Sequence, residues 1–445
     1  MSTLSSQPYK GTRDYYPEDM RVRNYIFDTW KKTVQSFGYE EYAAPMLEPL
    51  DVYTAKSGQE LAGEQTYTFT DRGGRTVAIR PEMTPSISRM VAAKRQEISY
   101  PARLFSIANF MRYERPQRGR EREFWQLNVD VFGVDTMQAE VEIITLSDQL
   151  MKAFGATNEM YTIRVNNRNL INFMMSQYLG LDVSGAHLMM KLFDRKSKIT
   201  HEEFRSQAAE IFGPEEASNG LERISQLLAA QNMADLPKEI RDSETVREVQ
   251  TLFTGLEQAG VKNAIFDITL MRGLDYYSGT VFEVFDNNPD NNRSMFGGGR
   301  YDGLVGLFGA EPLGAVGVAP GLTTIELFLQ SNKLLPELGP TTEIYVIVLD
   351  DTMPAAVKLA ATLRGEGVNV ELDISGRKLD KQLKNAVKKH IPYMVFVGEK
   401  EVSNEVYPLK DTKTSTEQVL SIERIVSAVK DRRRSRKMPD DELFV

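Results

Sequence analysis

Between Ala102 and Gly133 the sequence reads ARLFSIANFMRYERPQRGREREFWQLNVDVFG, two strand-like arms around a charged loop, Arg115 to Glu123. Arms adjacent in sequence pair most simply as an antiparallel hairpin, so the chain must build a sheet around this segment. QTYTFTDRGGRTVAIRPEMT repeats the plan in short form: Tyr67 and Phe69 lead into a DRGGR turn, and Val77 and Ile79 lead out. Ahead of both hairpins, Val22, Tyr25, Ile26, Trp30, Val34 and Phe37 recur at helical spacing, and Gly38 stands where a C-cap would. A helix over 21–37 is expected, then an extended stretch broken by Pro45 and Pro49.

Downstream, Met137 to Phe154 has a helical pattern and YTIRV reads as a strand. Residues 168–261 then turn almost wholly helical and polar before strands resume in KNAIFDITLMRGLDYYSGTVFEVF. A helical insertion between two parts of one sheet explains that order. SNKLLPELGPTTE, with Pro336, Gly339 and Pro340, reads as a linker. Beyond it EIYVIVL, PAAVKLAATLRGEG, VNVELDI, KLDKQLKNAVKKH and YMVFVG alternate strand and helix, as a small open sheet flanked by helices would. The terminal KDRRRSRKMPDDELFV reads as a solvated tail, basic and then acidic.

The 445 residues suffice for two to three domains, and a net charge of -8 argues against a protein that coats nucleic acid by bulk charge. A nucleic-acid partner would have to meet local basic patches. The absence of cysteine excludes disulfides, zinc-cysteine sites and thiol nucleophiles, and the three histidines are not spaced as metal ligands. The first residues lack the apolar core of a signal peptide, and no run of about 18 apolar residues occurs. A cytoplasmic protein without a membrane partner is expected.

RYERPQRGREREFWQ holds five arginines and three glutamates between two strands. Arginine stays charged and forks around phosphate oxygens, so this loop suits an anionic ligand; the plainer alternative is an exposed loop laced with salt bridges. MRGLDYYSGTVFEVF sets Arg272, Gly273, Tyr276 and Tyr277 ahead of an alternating strand, more polar equipment than a strand start needs.

With RPEMT (80–84), RYERPQ and FWQLNVD (112–130), RGLDYYSGTVFE and GGGRYDGL (297–304), the sequence resembles the histidyl-tRNA synthetases of the class II aminoacyl-tRNA synthetase family over nearly its whole length. YKGTRDYYPED, GYEEYAAPMLEPLDVYTAKSG and, after Glu343, GRKLDKQLKNA belong to the same resemblance. It implies an α+β catalytic domain with a mixed, mainly antiparallel sheet of six to seven strands, a helical insertion and a C-terminal α/β anticodon-binding domain. The boundaries expected are 1–167 with 262–331 for the catalytic domain, 168–261 for the insertion, 332–342 for the linker, 343–431 for the anticodon domain and 432–445 for the tail.

The same resemblance implies a homodimer, with Trp30 and the prolines of the first motif at its interface, acting on L-histidine, ATP with substrate-bound Mg2+, and tRNA-His, and no metal site of the protein's own. It implies that Glu82 and Thr84 hold the amino group of histidine, and that Gln126 and Asp130 line the amino-acid pocket. Arg112 would grip the ATP α-phosphate and the histidine carboxylate, with Arg272 on the phosphate's other side; these two are the expected catalytic residues. Glu114 would serve the adenine, Tyr276 and Tyr277 the imidazole, and Gln117, Arg118, Arg120 and Arg122 the tRNA acceptor end. GGGRYDGL would form a glycine-lined wall of the site, and the lysines at 378, 381, 384, 388 and 389 suit either a solvated helix face or a tRNA-facing stripe.

One departure stands out. Thr323 and Thr324 occupy the third-motif places where the family usually has Glu-Arg, the arginine reaching the γ-phosphate. Either Arg115, Arg118, Arg120 or Arg122 takes that phosphate, or the chain is a catalytically impaired synthetase-like protein that senses tRNA or regulates.

Overall fold

The computed structural model describes residues 4–54, 60–196, 199–230, 232–271, 276–291 and 293–436. Two compact units emerge, one built on Val22–Leu335 with the N-terminal segment and one built on the residues from Pro336 onward.

The first unit opens with α1 (Pro17–Ser36), whose apolar stripe buries Ile26, Trp30 and Val34. Trp30, assigned above to a dimer interface, is instead fully buried within its own chain. Then come β1 (Glu40–Glu41), β2 (Leu47–Pro49), α2 (Asp51–Thr54), β3 (Thr68–Thr70), β4 (Thr76–Ile79) and α3 (Thr84–Ala93). The long hairpin is β5 (Ala102–Met111) and β6 (Glu123–Phe132), in unbroken antiparallel register from Ala102–Phe132 to Met111–Glu123. α4 (Gln138–Lys152) and β7 (Tyr161–Asn167) follow.

The helical block comprises α5 (Arg168–Phe173), α6 (Val183–Arg195), α7 (His201–Phe212), α8 (Ala217–Ala229), α9 (Lys238–Arg241) and α10 (Glu244–Gln258). Side chains of Asn167, Asp182, Thr200 and Ser243 cap four of these helices by accepting from backbone N–H groups of the first turn. Its core runs from Leu170 to Val249 and takes in Ile268 and Met271, so it reaches the doorstep of Arg272. The unit closes with β8 (Ala264–Phe266), β9 (Thr280–Asp286), β10 (Ser294–Arg300), β11 (Ala315–Val318) and α11 (Leu322–Ser331).

The main sheet runs β1-β5-β6-β11-β10-β9-β7-β8, eight strands where six to seven were expected. The surplus lies at the edges, where β1 has two residues and β8 three, too few for a readable alternation. β1 pairs parallel to β5 and β8 parallel to β7, while every pairing between them is antiparallel. The short 67–80 hairpin stands apart, in a second sheet ordered β2-β4-β3.

Period-two alternation divides the functions of the main sheet. Phe105, Leu127, Val129, Val131, Val316 and Val318 point toward α1, α4 and α11 and form the main core. The opposite face carries Ala102 and Phe132, packed with Ile87 and Val91 of α3 and with Tyr276 and Tyr301, and Ala108 and Phe110, packed with Met83.

In the second unit β12 (Ile344–Val348), α12 (Met353–Gly365), β13 (Val370–Leu372), α13 (Leu379–Lys388), β14 (Tyr393–Val397), α14 (Glu399–Asn404), β15 (Tyr407–Asp411), β16 (Glu417–Leu420) and α15 (Ile422–Arg436) form an α/β fold ordered β13-β12-β14-β15-β16. α15 corrects the tail expected from 432. The basic run continues the helix to Arg436, with Arg432 bonded to Asp411 at 3.0 Å and Arg433 forked onto Glu343 at 2.9 and 2.6 Å. The remainder, 437–445, lies outside the described residues.

Candidate active site

On β6 the alternation that sends Trp125, Leu127 and Val129 into the core leaves Gln126, Asn128 and Asp130 on the opposite face. The floor beside them is cut low by glycine. A Cβ on Gly317, opposite Asp130 in register, would come within 2.2 Å of Asp130 Oδ1, and one on Gly299 would meet the ring of Tyr277 at 2.9 Å. In GGGRYDGL a Cβ on Gly297, Gly298 or Gly299 would meet the backbone carbonyls of Phe282, Gly317 and Thr280 at 2.6, 2.1 and 2.5 Å, so neighbouring strands leave these positions to glycine.

Two phenol–carboxylate pairs stand on this floor. Tyr276 Oη donates to Glu82 Oε2 at 2.9 Å and also meets the Thr84 hydroxyl, which joins RPEMT to RGLDYY across a sequence separation of 194. Tyr301 donates to Asp130 Oδ1. Burial pushes the Asp130 carboxyl up to about 7, opposed by that phenol bond. The rings of Tyr276 and Tyr301 lie edge to face at 5.8 Å, and Tyr277 contacts Tyr276 at 5.2 Å. Half-buried Tyr277 makes no hydrogen bond to a described residue; burial and then the charges of Glu82, Asp130 and Glu283 hold its phenol above the usual value.

Arg112 ends the β5 arm. Its Nε donates to Pro81 O at 2.8 Å and its guanidinium lies 5.1 Å from the centre of the Phe124 ring, which anchors the arginine while leaving its terminal nitrogens without a described protein partner. Gln126 donates to Ala319 O at 3.1 Å, fastening the strand to the turn that enters α11.

The arginine loop is partly committed. Arg120 pairs with Glu114 at 2.9 Å, and Gln117 and Arg120 exchange backbone hydrogen bonds across the tip. Arg122 is not at the tip: its guanidinium sits over Tyr113 at 4.2 Å and donates to Tyr9 Oη at 2.9 Å, pinning the loop base to the N-terminal segment. Arg115 and Arg118 are exposed and hold no ion pair or side-chain hydrogen bond among the described residues.

At the start of α11, Thr323 donates to Glu121 at 3.0 Å, and Thr324 donates to Met295 O at 2.8 Å and Gly321 O at 3.0 Å. The Thr324 hydroxyl is thus turned back onto the carbonyls of β10 and of the turn before α11.

Arg272 lies outside the described residues. Its approach is held firmly: Asn166 donates to Leu270 O at 3.1 Å, Arg168 to Met271 O at 3.2 Å, and Asp267 accepts from Thr269 N at 2.9 Å. Sequence reasoning named the GGGRYDGL wall but not Tyr301 within it. The one available signal was a large aromatic directly after a glycine strand.

An antiparallel sheet with parallel edges, α1, α4 and α11 on one face, and α3 with the carboxylates on the other is the arrangement of a class II aminoacyl-tRNA synthetase catalytic domain. The family model for histidyl-tRNA synthetase matches residues 11–325, and that for the anticodon binding domain matches residues 343–432. The histidine–tRNA ligase of Leptospira biflexa is 41% identical over 431 residues, covering 96% of this chain and 98% of its own; that of Haloarcula marismortui is 37% identical over 408 residues, covering 90% and 92%. Among solved structures, the histidyl-tRNA synthetase from Nostoc sp. PCC 7120 superposes with a TM-score of 0.80 at 23% identity, covering 97% of this chain and all of that one. The chain belongs to the histidyl-tRNA synthetase family.

Proposed function

We propose that the chain is a histidine–tRNA ligase that activates L-histidine with ATP to histidyl-adenylate, releasing pyrophosphate, and passes the histidyl group to the 3′ end of tRNA-His. The observation that carries this reading is the gathering of Glu82, Tyr276, Asp130 and Tyr301 into two hydrogen-bonded pairs on one sheet face, within a chain that matches the family's two domains over residues 11–325 and 343–432.

Adenylate formation brings a carboxylate to the α-phosphorus, so fixed positive charge must offset two anions. In this reading Arg112 supplies it from one side and Arg272 from the other, and magnesium enters on the ATP phosphates. Glu114 serves the adenine from its place under Arg120. Glu82 and Thr84 take the substrate's amino group, with Gln126 beside them.

The two tyrosines divide their work. Tyr276 is already engaged by Glu82 and Thr84 and organises them, while the uncommitted hydroxyl of Tyr277 and the Asp130 carboxyl read the ring. A neutral imidazole offers one donor and one acceptor, and a phenol plus a carboxylate match both. A rival lacking either would leave a buried polar group unpaired, a penalty large enough for discrimination on the order of 10⁴.

Of the four candidates for the γ-phosphate this reading favours Arg115 and Arg118, which are exposed and hold no ion pair among the described residues, with Gln117, Arg118 and Arg120 also meeting the acceptor end of the tRNA. Residues 168–261 act as an inserted helical domain. A homodimer is favoured by Pro45, Met46, Leu47 and Pro49, all exposed on or beside the short edge strand β2. A cytoplasmic location agrees with the absence, among the described residues, of any helix long and apolar enough to cross a membrane.

A second reading, a non-catalytic sensor or regulator, draws on Thr324, whose hydroxyl is spent on two carbonyls. Histidine-dependent exchange of labelled pyrophosphate into ATP separates the two. Exchange dependent on histidine and absent with other amino acids is expected; tRNA binding without exchange would establish the sensor.

A further inference from the structure

Tyr42 and Ser106 carry two buried hydroxyls that lack a well-formed hydrogen bond. Tyr42 follows β1, its backbone N–H bonded to Phe105 O at 2.8 Å, and its side chain packs against the cluster that holds Tyr276 and Tyr301. Ser106 stands on the site face of β5, opposite Asn128 and two pairs away from the Leu104–Asp130 and Ala108–Gln126 pairs. The Tyr42 and Ser106 hydroxyls adjoin one another. A buried hydroxyl left unpaired is costly, and each such group calls for an explanation.

We propose that Tyr42 is a positioning residue for Asp130, a second phenol that donates to this carboxyl when the ring of histidine binds. The inference rests on the assignment of Asp130 to the ring pocket. In the free protein Tyr301 already donates to Oδ1. The phenols within electrostatic range of the carboxyl come from four places: Tyr42 after β1, Tyr277 ahead of β9, Tyr301 after β10 and, in the core on the sheet's other face, Tyr39, which donates to Glu142. Burial and then the Asp130 charge dominate the environment of the Tyr42 phenol, with Ser106 and Arg80 acting the other way.

A buried carboxylate that accepts a ring N–H must stay ionised in a dry setting, and each additional donor favours that form. Tyr301 is one donor. Tyr42, packed on the Tyr276–Tyr301 cluster with its hydroxyl buried and unpaired, is the phenol proposed to supply the next when substrate arrives.

Tyr42→Phe removes one oxygen and keeps the ring. In pyrophosphate exchange measured across roughly pH 6 to 8.5, the variant should show a KM for histidine raised about three- to tenfold, with kcat and KM for ATP held within about twofold. The acid limb of kcat, which reports groups in the histidine complex, should move to higher pH with its plateau unchanged. Titration of the substrate's own imidazole is common to both enzymes, so the difference between limbs reports the protein group. Ser106→Ala should shift the limb the same way by less, and serves in place of Tyr42→Phe if that variant fails to fold.

Asp130→Asn is the reference. It should lose histidine affinity, and adding Tyr42→Phe to it should change KM no further. An unmoved limb and KM in Tyr42→Phe, with affinity lost in Asp130→Asn, overturns the role of Tyr42 alone. Unchanged affinity in Asp130→Asn overturns the assignment of Asp130 and this proposal with it.

Discussion

Asp130 carries opposite demands for stability and for chemistry. Burial raises its carboxyl to about 7, above the usual carboxylate range, so the folded state holds a proton that the unfolded chain gives up near pH 4. The contribution is fully present below that lower value and is lost as pH rises through about 7, because ionising a buried group then works against folding. Asp130→Asn should therefore gain stability relative to the parent between about pH 4 and 7, with a slope of up to about 1.4 kcal/mol per pH unit, and level off above. Thermal melts across that range check it; an offset independent of pH would place the carboxyl in a more polar setting than its burial indicates. Gln126 and Asp130 could be placed on one face from their spacing, because strand alternation needs only neighbours. Tyr301 could not, since its bond to Asp130 depends on β10, β11 and β6 lying side by side. Trp30 misled for a related reason: a tryptophan on an amphipathic helix looks the same in sequence whether its cover is its own sheet or a partner.

Among the elements, the β5–β6 hairpin was the most legible, being long, alternating and local, and the helical block was equally plain from its composition. The edge strands and α15 were not. Two or three residues carry no period, and the run at 432–436 looks like a tail because the acids that hold it, Asp411 and Glu343, are distant in sequence. A helix C-terminus also favours positive charge. β11 offers the sharpest test at this scale. Gly317→Ala would put a methyl 2.2 Å from Asp130 Oδ1 and 3.0 Å from Val129 O, so the carboxyl must move. A loss of at least about tenfold in kcat/KM for histidine is expected, with circular dichroism showing the fold retained; parent-like exchange would mean the floor tolerates a side chain there.

Across the molecule, the order of parts was readable because each part has its own rhythm: alternating arms, a helical block, alternating arms again, then strand–helix repeats. What the sequence could not show is how the third-motif substitution is absorbed. The Thr324 hydroxyl donates to the carbonyls of Met295 and Gly321, and Arg115 and Arg118 of the neighbouring loop hold no ion pair among the described residues. The second unit exposes the lysines at 378, 381, 384, 388 and 389, as a solvated helix face and a tRNA-facing stripe would both require. The central claim is that this chain remains a complete ligase without the usual arginine at 324. Its most direct test is transfer of labelled histidine to a tRNA-His transcript by the full-length protein with ATP. The account predicts multiple turnovers and no charging of a non-cognate tRNA. Failure to charge tRNA-His, by a folded protein that still binds it, would contradict it.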